Sequence, residues 1–480
     1  MRSGEEKEIA LSHATPESTW TTEPHSSGAD EKGNISLTSD PPKLDRAPSV
    51  RQASTESLGP EGDPSLVENA ELIDDDDPVP DGGLTAWLQV LGSWVIAVDT
   101  WGIVNSYGVF QTYYQRELLT SRSASDLSWV GSLQAALLML VGAIAGPAYD
   151  AGYFREMLCA GLFLIILGQF MTSLCTTYWQ VLLAQGICVG LGCGLVFLPS
   201  AAILSQYFLK RRSFVLGIAS TGSPIASAVF PILLGKLIPK IGFGWATRVL
   251  AFVMLALSII PVFFMRMRRK PPPGHVRSLI DKTALRDVPF LLLMVGILPS
   301  FLTIYVGFFY IQSYAINFDI TTPDFSPYLV TFLGVGSILG RLIPNYLADK
   351  IGTLNVLLSS GIMSAVLCFA WLGIRSLGGL ITFAVLYGAS SGGLVSVTPS
   401  ATVALTPDLS VVGTRMGMLF FATGIAVVIG PPIAGAIVGA GGVKGWMGAI
   451  GYSAAGLFLG AVVFLAARIV LFNRTRNWRA

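Results

Sequence analysis

The sequence predicts an all-α membrane protein with about twelve transmembrane helices in two six-helix halves, preceded by a disordered tail. Three observations predict it. Of 480 residues, 52% are hydrophobic and only 13% charged, with a mean hydropathy of +0.62, whereas soluble domains carry charge on about 25% of positions. The apolar residues fall into runs long enough to cross roughly 30 Å of hydrocarbon, which takes about 20 helical residues. The charges between those runs are distributed unevenly.

Residues 1–80 hold eighteen of the thirty acids and six of the thirty-one bases, so the acidic tail and the basic remainder are physically different regions. The tail is rich in Ser, Thr, Pro, Glu and Asp without apolar periodicity, so it cannot bury enough surface to offset its ordering entropy. It shows no basic segment followed by an apolar one, hence no cleavable signal peptide. Ser49 and Ser54 lie near Arg46 and Arg51 and are candidates for phosphorylation, the alternative being a passive solvated segment. Asp74 to Asp77, Pro78 and Pro80 end it.

Residues 81–266 form the predicted first half, with spans near 86–110, 127–148, 156–176, 178–206, 213–238 and 246–266. A basic, proline-containing linker, 267–287, follows. The second half, 288–471, has spans near 288–316, 327–347, 353–374, 377–405, 413–440 and 447–471, and residues 472–480 form a short tail. With both termini inside, inner segments collect seventeen bases against seven in outer loops. That bias places the termini and the linker in the cytoplasm. The expected setting is a multi-pass protein of the plasma membrane, acting as a monomer.

Two sites between spans repeat. Gly146-Pro-Ala-Tyr-Asp150-Ala-Gly152-Tyr-Phe-Arg155 follows the second span, and Gly340-Arg341-Leu-Ile-Pro-Asn-Tyr-Leu-Ala-Asp349-Lys350-Ile-Gly352 closes the eighth. Glycine permits a tight turn after a helix, and a carboxylate there suits a neighbouring helix N-terminus. Pro199, Pro224, Pro231, Pro399 and Gly430-Pro431-Pro432 interrupt other spans, as bending points or as packing kinks.

The hairpin Tyr207-Phe208-Leu209-Lys210-Arg211-Arg212-Ser213 carries three cations between two long spans, and the helix after it offers the small residues Gly217 and Gly222 for close packing. This run resembles the tyrosine-phenylalanine-x-lysine-arginine-arginine signature of the monocarboxylate porters, a branch of the major facilitator superfamily. Asp81-Gly82-Gly83-Leu84-Thr85-Ala86-Trp87 is similar to that family's entry to its first helix, with one extra residue and Leu84 at the aromatic position. The resemblance implies the two-half carrier fold, and it implies that Asp150, Arg155, Asp349, Lys350 and Arg415 belong to a cytoplasmic latch.

Asp99 and Arg341 are the charged residues placed deep in spans, and such groups are functional candidates by default. Asn105, six residues after Asp99, lies about 120° away around the helix. Arg341 sits about 9 Å from the inner end of its span, within reach of the surface if its side chain extends that way. The resemblance places a substrate-facing guanidinium at Arg341. It also shows departures: proton-coupled animal members have a lysine near Asn105 and an acid where this chain has Ser337. Asn105-Ser106-Tyr107-Gly108-Val109-Phe110 resembles the fungal branch instead, which includes uptake carriers and exporters of metabolites. Tyr305, Phe308, Phe309, Tyr310, Gln312 and Tyr314 in span seven line a pocket for a ring-bearing solute or form a lipid-facing aromatic run.

The expected activity is secondary transport of a small organic solute, a monocarboxylate-like acid or related metabolite, by alternating access. The alternatives are export of a fungal secondary metabolite and nutrient sensing by a carrier-shaped protein. The substrate-binding candidates are Arg341, Asn105, Asp99, Ser337 and Tyr310. No cofactor is expected. Gly235-Lys236 is followed by Leu237, so no phosphate-binding loop is present and the energy comes from an ion or solute gradient. All three histidines lie outside the spans and the five cysteines form no CxxC pair, so no metal site is expected. The predicted partners are the bilayer and the solute, with or without a coupled proton, and not nucleic acid. An enzyme is not expected, because no HExxH, GxSxG or acid-histidine cluster lies at a span end.

Overall fold

A computed structural model describes residues 80–208, 212–268, 280–406 and 411–476, apart from the side chains of Asp150, Arg212, Ser213 and Asp349. The tail, and Lys210 and Arg211 of the cationic hairpin, lie outside the described residues.

Eleven helical stretches among these residues are long and apolar enough to cross a membrane. Four carry the start of the chain: α1 Leu84–Leu118, α2 Ala124–Tyr149, α3 Phe154–Thr172 and α4 Tyr178–Tyr207. The fifth, Phe214–Phe264, has 51 residues and would reach about 75 Å if straight. It is broken at Gly242, whose φ of 77° and ψ of 162° no helix contains. The two arms, 214–241 (α5) and 243–264 (α6), together with the other ten stretches make up the twelve crossings expected. The predicted loop between 238 and 246 is absent, because helix continues through Pro239 to the glycine, which alone turns the chain. The remainder are α7 Val288–Asn317, α8 Pro327–Ala348, α9 Thr353–Trp371, α10 Leu377–Ala404, α11 Val412–Gly439 and α12 Gly442–Thr475.

Local chemistry sets several boundaries. Ser123 and Asp126 form a reciprocal cap at the start of α2, with Asp126 N donating to Ser123 Oγ at 3.0 Å and Ser123 N to Asp126 Oδ2 at 3.2 Å. Ser376 caps α10 by accepting from Gly379 N at 3.2 Å. The two repeated turns end alike, at Gly152 with φ 91° and Gly352 with φ 94°, a region that favours glycine.

The end of the molecule where α6 finishes and α7 begins is termed the linker end, and the opposite one the far end. The two family motifs meet at the linker end. Asp81 N donates to Tyr207 O at 3.1 Å, and Trp87 stands edge-on to Phe208 with ring centroids 5.7 Å apart. Gly83, with φ 87°, opens α1. Gln89 Nε2 donates to Phe264 O at 2.9 Å and Tyr207 Oη to Arg266 O at 2.9 Å, so α1, α4 and α6 are tied at one edge.

Small residues set how closely helices approach. Gly222 lies on the Trp94 carbonyl of α1, where an added Cβ would collide, whereas Gly217 has open space around it and does not pack closely as its composition suggested. Helices α8 and α10 pack closely through glycines. Gly336-x3-Gly340 faces Gly388-x3-Gly392, and a Cβ at Gly336, Gly340 or Gly388 would strike the carbonyl of Val385, Ala389 or Leu333. The first six helices meet the last six along α2 with α11, α5 with α8, and α1 with α7.

Candidate functional site

Four helices converge midway through the molecule around a cavity lined by Trp101 and Asn105 of α1, Tyr305 and Phe308 of α7, Ser337 and Arg341 of α8, and residues of α10 including Ser391. Each pair is spaced three or four residues apart, which places it on one helix face. The cavity and its mouth hold about 320 Å³ between atoms, of which only about 20 Å³ admits the centre of a water. That is room for one or two waters, so a solute enters only when the helices part.

Arg341 is the charged residue in this lining, and it is turned inward with 7% of its surface exposed. Its Nη1 donates to Ser220 O at 2.9 Å and its Nη2 to Ser223 Oγ at 3.3 Å. Asn105 Nδ2 donates to the same Ser223 oxygen at 3.3 Å. One hydroxyl on α5 therefore joins α1 to α8. The Nε of Arg341 is buried without a hydrogen-bond partner, and among the described residues no carboxylate lies within ion-pair distance of it. The hydroxyls of Ser337 and Tyr305 also make no hydrogen bond to another described residue.

Of the sequence candidates, the cavity thus gathers Arg341, Asn105 and Ser337. It does not include Asp99 or Tyr310. Asp99 is completely buried in a π-helical segment, Val98–Gly102, and accepts from Ser258 Oγ of α6 at 3.0 Å. Its Oδ1 has no partner. Tyr310 lies toward the far end, donating to Pro431 O at 3.1 Å and bonding Ser128 Oγ, where it joins α7 to α2 and α11. Ser125 Oγ donates to Pro432 O at 2.9 Å beside it.

Of the latch candidates, Arg155, Lys350 and Arg415 have described side chains. Asp150 and Asp349 have helical backbones, but their side chains lie outside the described set. Arg155 is exposed, and Lys350 sits over the Tyr346 ring at 4.3 Å. Arg415 turns to the linker: its Nε meets Asp281 at 2.9 Å and its Nη1 meets Asp287 at 2.8 Å. Asp281 also accepts from Thr283 N at 2.8 Å and Thr283 Oγ1 at 2.6 Å. These bonds from Thr283, then the Arg415 guanidinium, outweigh burial and hold the Asp281 carboxyl down at about 2, against 3.8.

That shift makes the clamp pH-sensitive. A depressed carboxyl contributes stability that is complete above its unfolded value and is lost as pH falls through its folded value. Asp281→Asn is therefore expected to lower the melting temperature in detergent at pH 6, with the gap to wild type narrowing between pH 4 and pH 2. A gap that stays constant over that range would mean that the carboxylate charge is not what stabilises the clamp.

Sequence reading missed Trp101, Ser220, Ser223, Ser391 and the acids Asp281 and Asp287. For Trp101 a signal existed, since it stands four residues before Asn105 on the same face.

Comparison with known families settles the class of this assembly. The family model described as Major Facilitator Superfamily matches residues 84–344, more than half of the chain. The chain belongs to the Major Facilitator Superfamily. Relatives agree. MFS-type transporter dbaD of Emericella nidulans is 42% identical over 367 residues, covering 76% of this chain and 82% of that protein. The Aspyridones efflux protein apdF of the same fungus is 34% identical over 426 residues, covering 88% and 84%. Among solved structures, a peptide transporter POT superposes with a TM-score of 0.65 at 14% identity, over 82% of this chain and 97% of that one; this likeness concerns the fold. The protein is a multi-pass membrane transporter of the major facilitator type.

Proposed function

We propose that this major facilitator protein moves a small organic anion across the plasma membrane by alternating access, with the solute docked on Arg341, and that it works in the direction of export. One observation carries the reading: a guanidinium buried between the two sets of helices, with a free Nε and, among the described residues, no carboxylate within ion-pair distance. A buried charge without a counter-ion is costly, and a carboxylate or enolate on the solute supplies that counter-ion. Arginine suits this task because its planar fork holds two oxygens at once.

The name of apdF, an efflux protein, supports export over uptake. The monocarboxylate porter character rests on the Tyr207 to Arg212 run, and the cytoplasmic position of the linker and both termini rests on the seventeen-to-seven bias of bases. In this reading Asp99 carries the coupling proton. An ionised carboxylate there has one donor, Ser258, and no cation within ion-pair distance among the described residues; its titratable neighbour is the Cys193 thiol of α4. Binding a proton removes that uncompensated charge.

Flux of organic acids in proteoliposomes, with and without a pH gradient, tests the proposal. Wild type is expected to accumulate solute against its gradient when pH differs across the membrane. Asp99→Asn is expected to lose that accumulation at least tenfold while still exchanging solute for solute. Unchanged pH-driven accumulation in the mutant would assign the proton elsewhere, and no flux of any acid in wild type would remove the transport proposal for organic anions.

A further inference from the structure

The walls of the cavity narrow the solute further than its charge does. Three of the side chains around Arg341 are aromatic: Trp101, Tyr305 and Phe308. They are held by other rings. Trp101 stands edge-on to Phe197 at 5.6 Å between centroids, Phe308 lies 6.3 Å from Tyr387, and Tyr305 packs at 6.2 Å from Phe308 and 5.8 Å from Phe309. These ring-to-ring contacts hold the three aromatic side chains that line the cavity. Among the described residues, the polar groups of the lining without a hydrogen-bond partner include the Arg341 Nε, the hydroxyls of Ser337 and Tyr305, the Trp101 Nε1 and the Asn105 Oδ1.

We infer that the site is built for a planar aromatic acid, its carboxylate or enolate on Arg341 and its ring between Trp101 and the Phe308 wall. This rests on the proposed docking of an anion at Arg341 and names the class of that anion. A short aliphatic acid satisfies the guanidinium but leaves the three rings with nothing to cover them. A fused or substituted ring buries its apolar faces there and gains from offset or edge-on contact with the wall. The hydroxyls of Ser337 and Tyr305 suit oxygen substituents on that ring, donating or accepting as the substituent requires. The small volume now open means that the ring enters as the helices separate, and the aromatic walls then close on it.

The test uses the full chain in lipid nanodiscs and three probes: 2-naphthoate, acetate, and 2-naphthalenemethanol, which keeps the ring without the charge. Calorimetry is expected to show 2-naphthoate binding about tenfold to a hundredfold more tightly than acetate, the gain that a buried ring and its stacking supply. Trp101→Leu and Phe308→Leu, each first checked for a wild-type elution profile, are expected to narrow that gap, weakening 2-naphthoate by a larger factor than acetate. Equal binding of 2-naphthoate and acetate, with both lost in Arg341→Gln, would overturn the aromatic inference and keep the anion site. Ring-dependent binding of 2-naphthalenemethanol at the strength of 2-naphthoate, unaffected by Arg341→Gln, would keep the ring pocket and remove the anion reading on which this inference rests. A ring preference that survives both wall mutants would overturn the inference by placing the ring elsewhere.

Discussion

Arg341→Gln is expected to reduce binding of an organic anion by at least about 30-fold, because truncating one partner of a buried charge pair costs roughly 2–5 kcal/mol. The amide keeps a donor but loses the charge and the fork. Arg341→Lys keeps the charge and presents it as a point, so it is expected to retain part of the affinity and lose the rest. The present contacts explain the direction of both effects. The guanidinium spends one Nη on the Ser220 carbonyl and the other on Ser223, and its Nε has no protein partner to give up. Its exposure of 7% argues against a side chain that merely reaches for the surface. Equilibrium binding to both purified variants decides the matter: wild-type affinity in the two would take Arg341 out of the site. Both variants are expected to insert normally, since neither change adds bulk.

Gly340→Val is expected to be strongly disruptive. The first carbon of the new side chain would collide with the Ala389 backbone, which cannot rotate out of the way as a side chain would. Overpacking usually costs about 1–3 kcal/mol, and a clash with backbone in a paired helix lies at or beyond the upper end. The expected readout is loss of the monodisperse peak in size-exclusion chromatography, or a clear fall in melting temperature. Gly217→Ala is the control. It sits in a helix with nothing within 4 Å of an added carbon, so its melting temperature should match wild type or rise slightly, as alanine is the better helix former. If Gly340→Val melted like the control, α8 and α10 would not be held together by this contact.

The helices were legible because the bilayer imposes one rule, a long apolar run between polar ends, which acts locally along the chain. The paired turns were legible for a similar reason: Gly152 and Gly352 announce a conformation that glycine favours. Where a side chain points is not local. Asp99 and Arg341 are both ionisable and deep, yet one is enclosed with Ser258 inside the first six helices and the other opens onto the cavity. Tyr310 and Phe308 are two residues apart on α7, and that separation sends one to the far end contacts and the other to the cavity. Depth in a span gave the candidates, and only the packing of neighbouring helices gave the direction. Ser223 was hidden because a serine among small residues looks like packing. Its role depends on Asn105 and Arg341 arriving from two other helices. The partners of Arg415 were hidden because Asp281 and Asp287 lie in the linker, 134 and 128 residues away.

The shared hydroxyl of Ser223 bears on the speed of the transport cycle. Any movement that parts α5 from α8 strips Arg341 of Ser220 and Ser223 together, leaving a guanidinium in an interior with room for only one or two waters. With an anion docked on Arg341 as proposed, its oxygens would take over as the bonds to α5 break, and the barrier to reorientation would stay low. In the empty carrier that compensation would be missing and the same movement slower. On that proposal the loaded and unloaded legs of the cycle are unequal: swapping one solute for another across the membrane is expected to outpace net movement, with the return of the empty carrier setting the turnover rate.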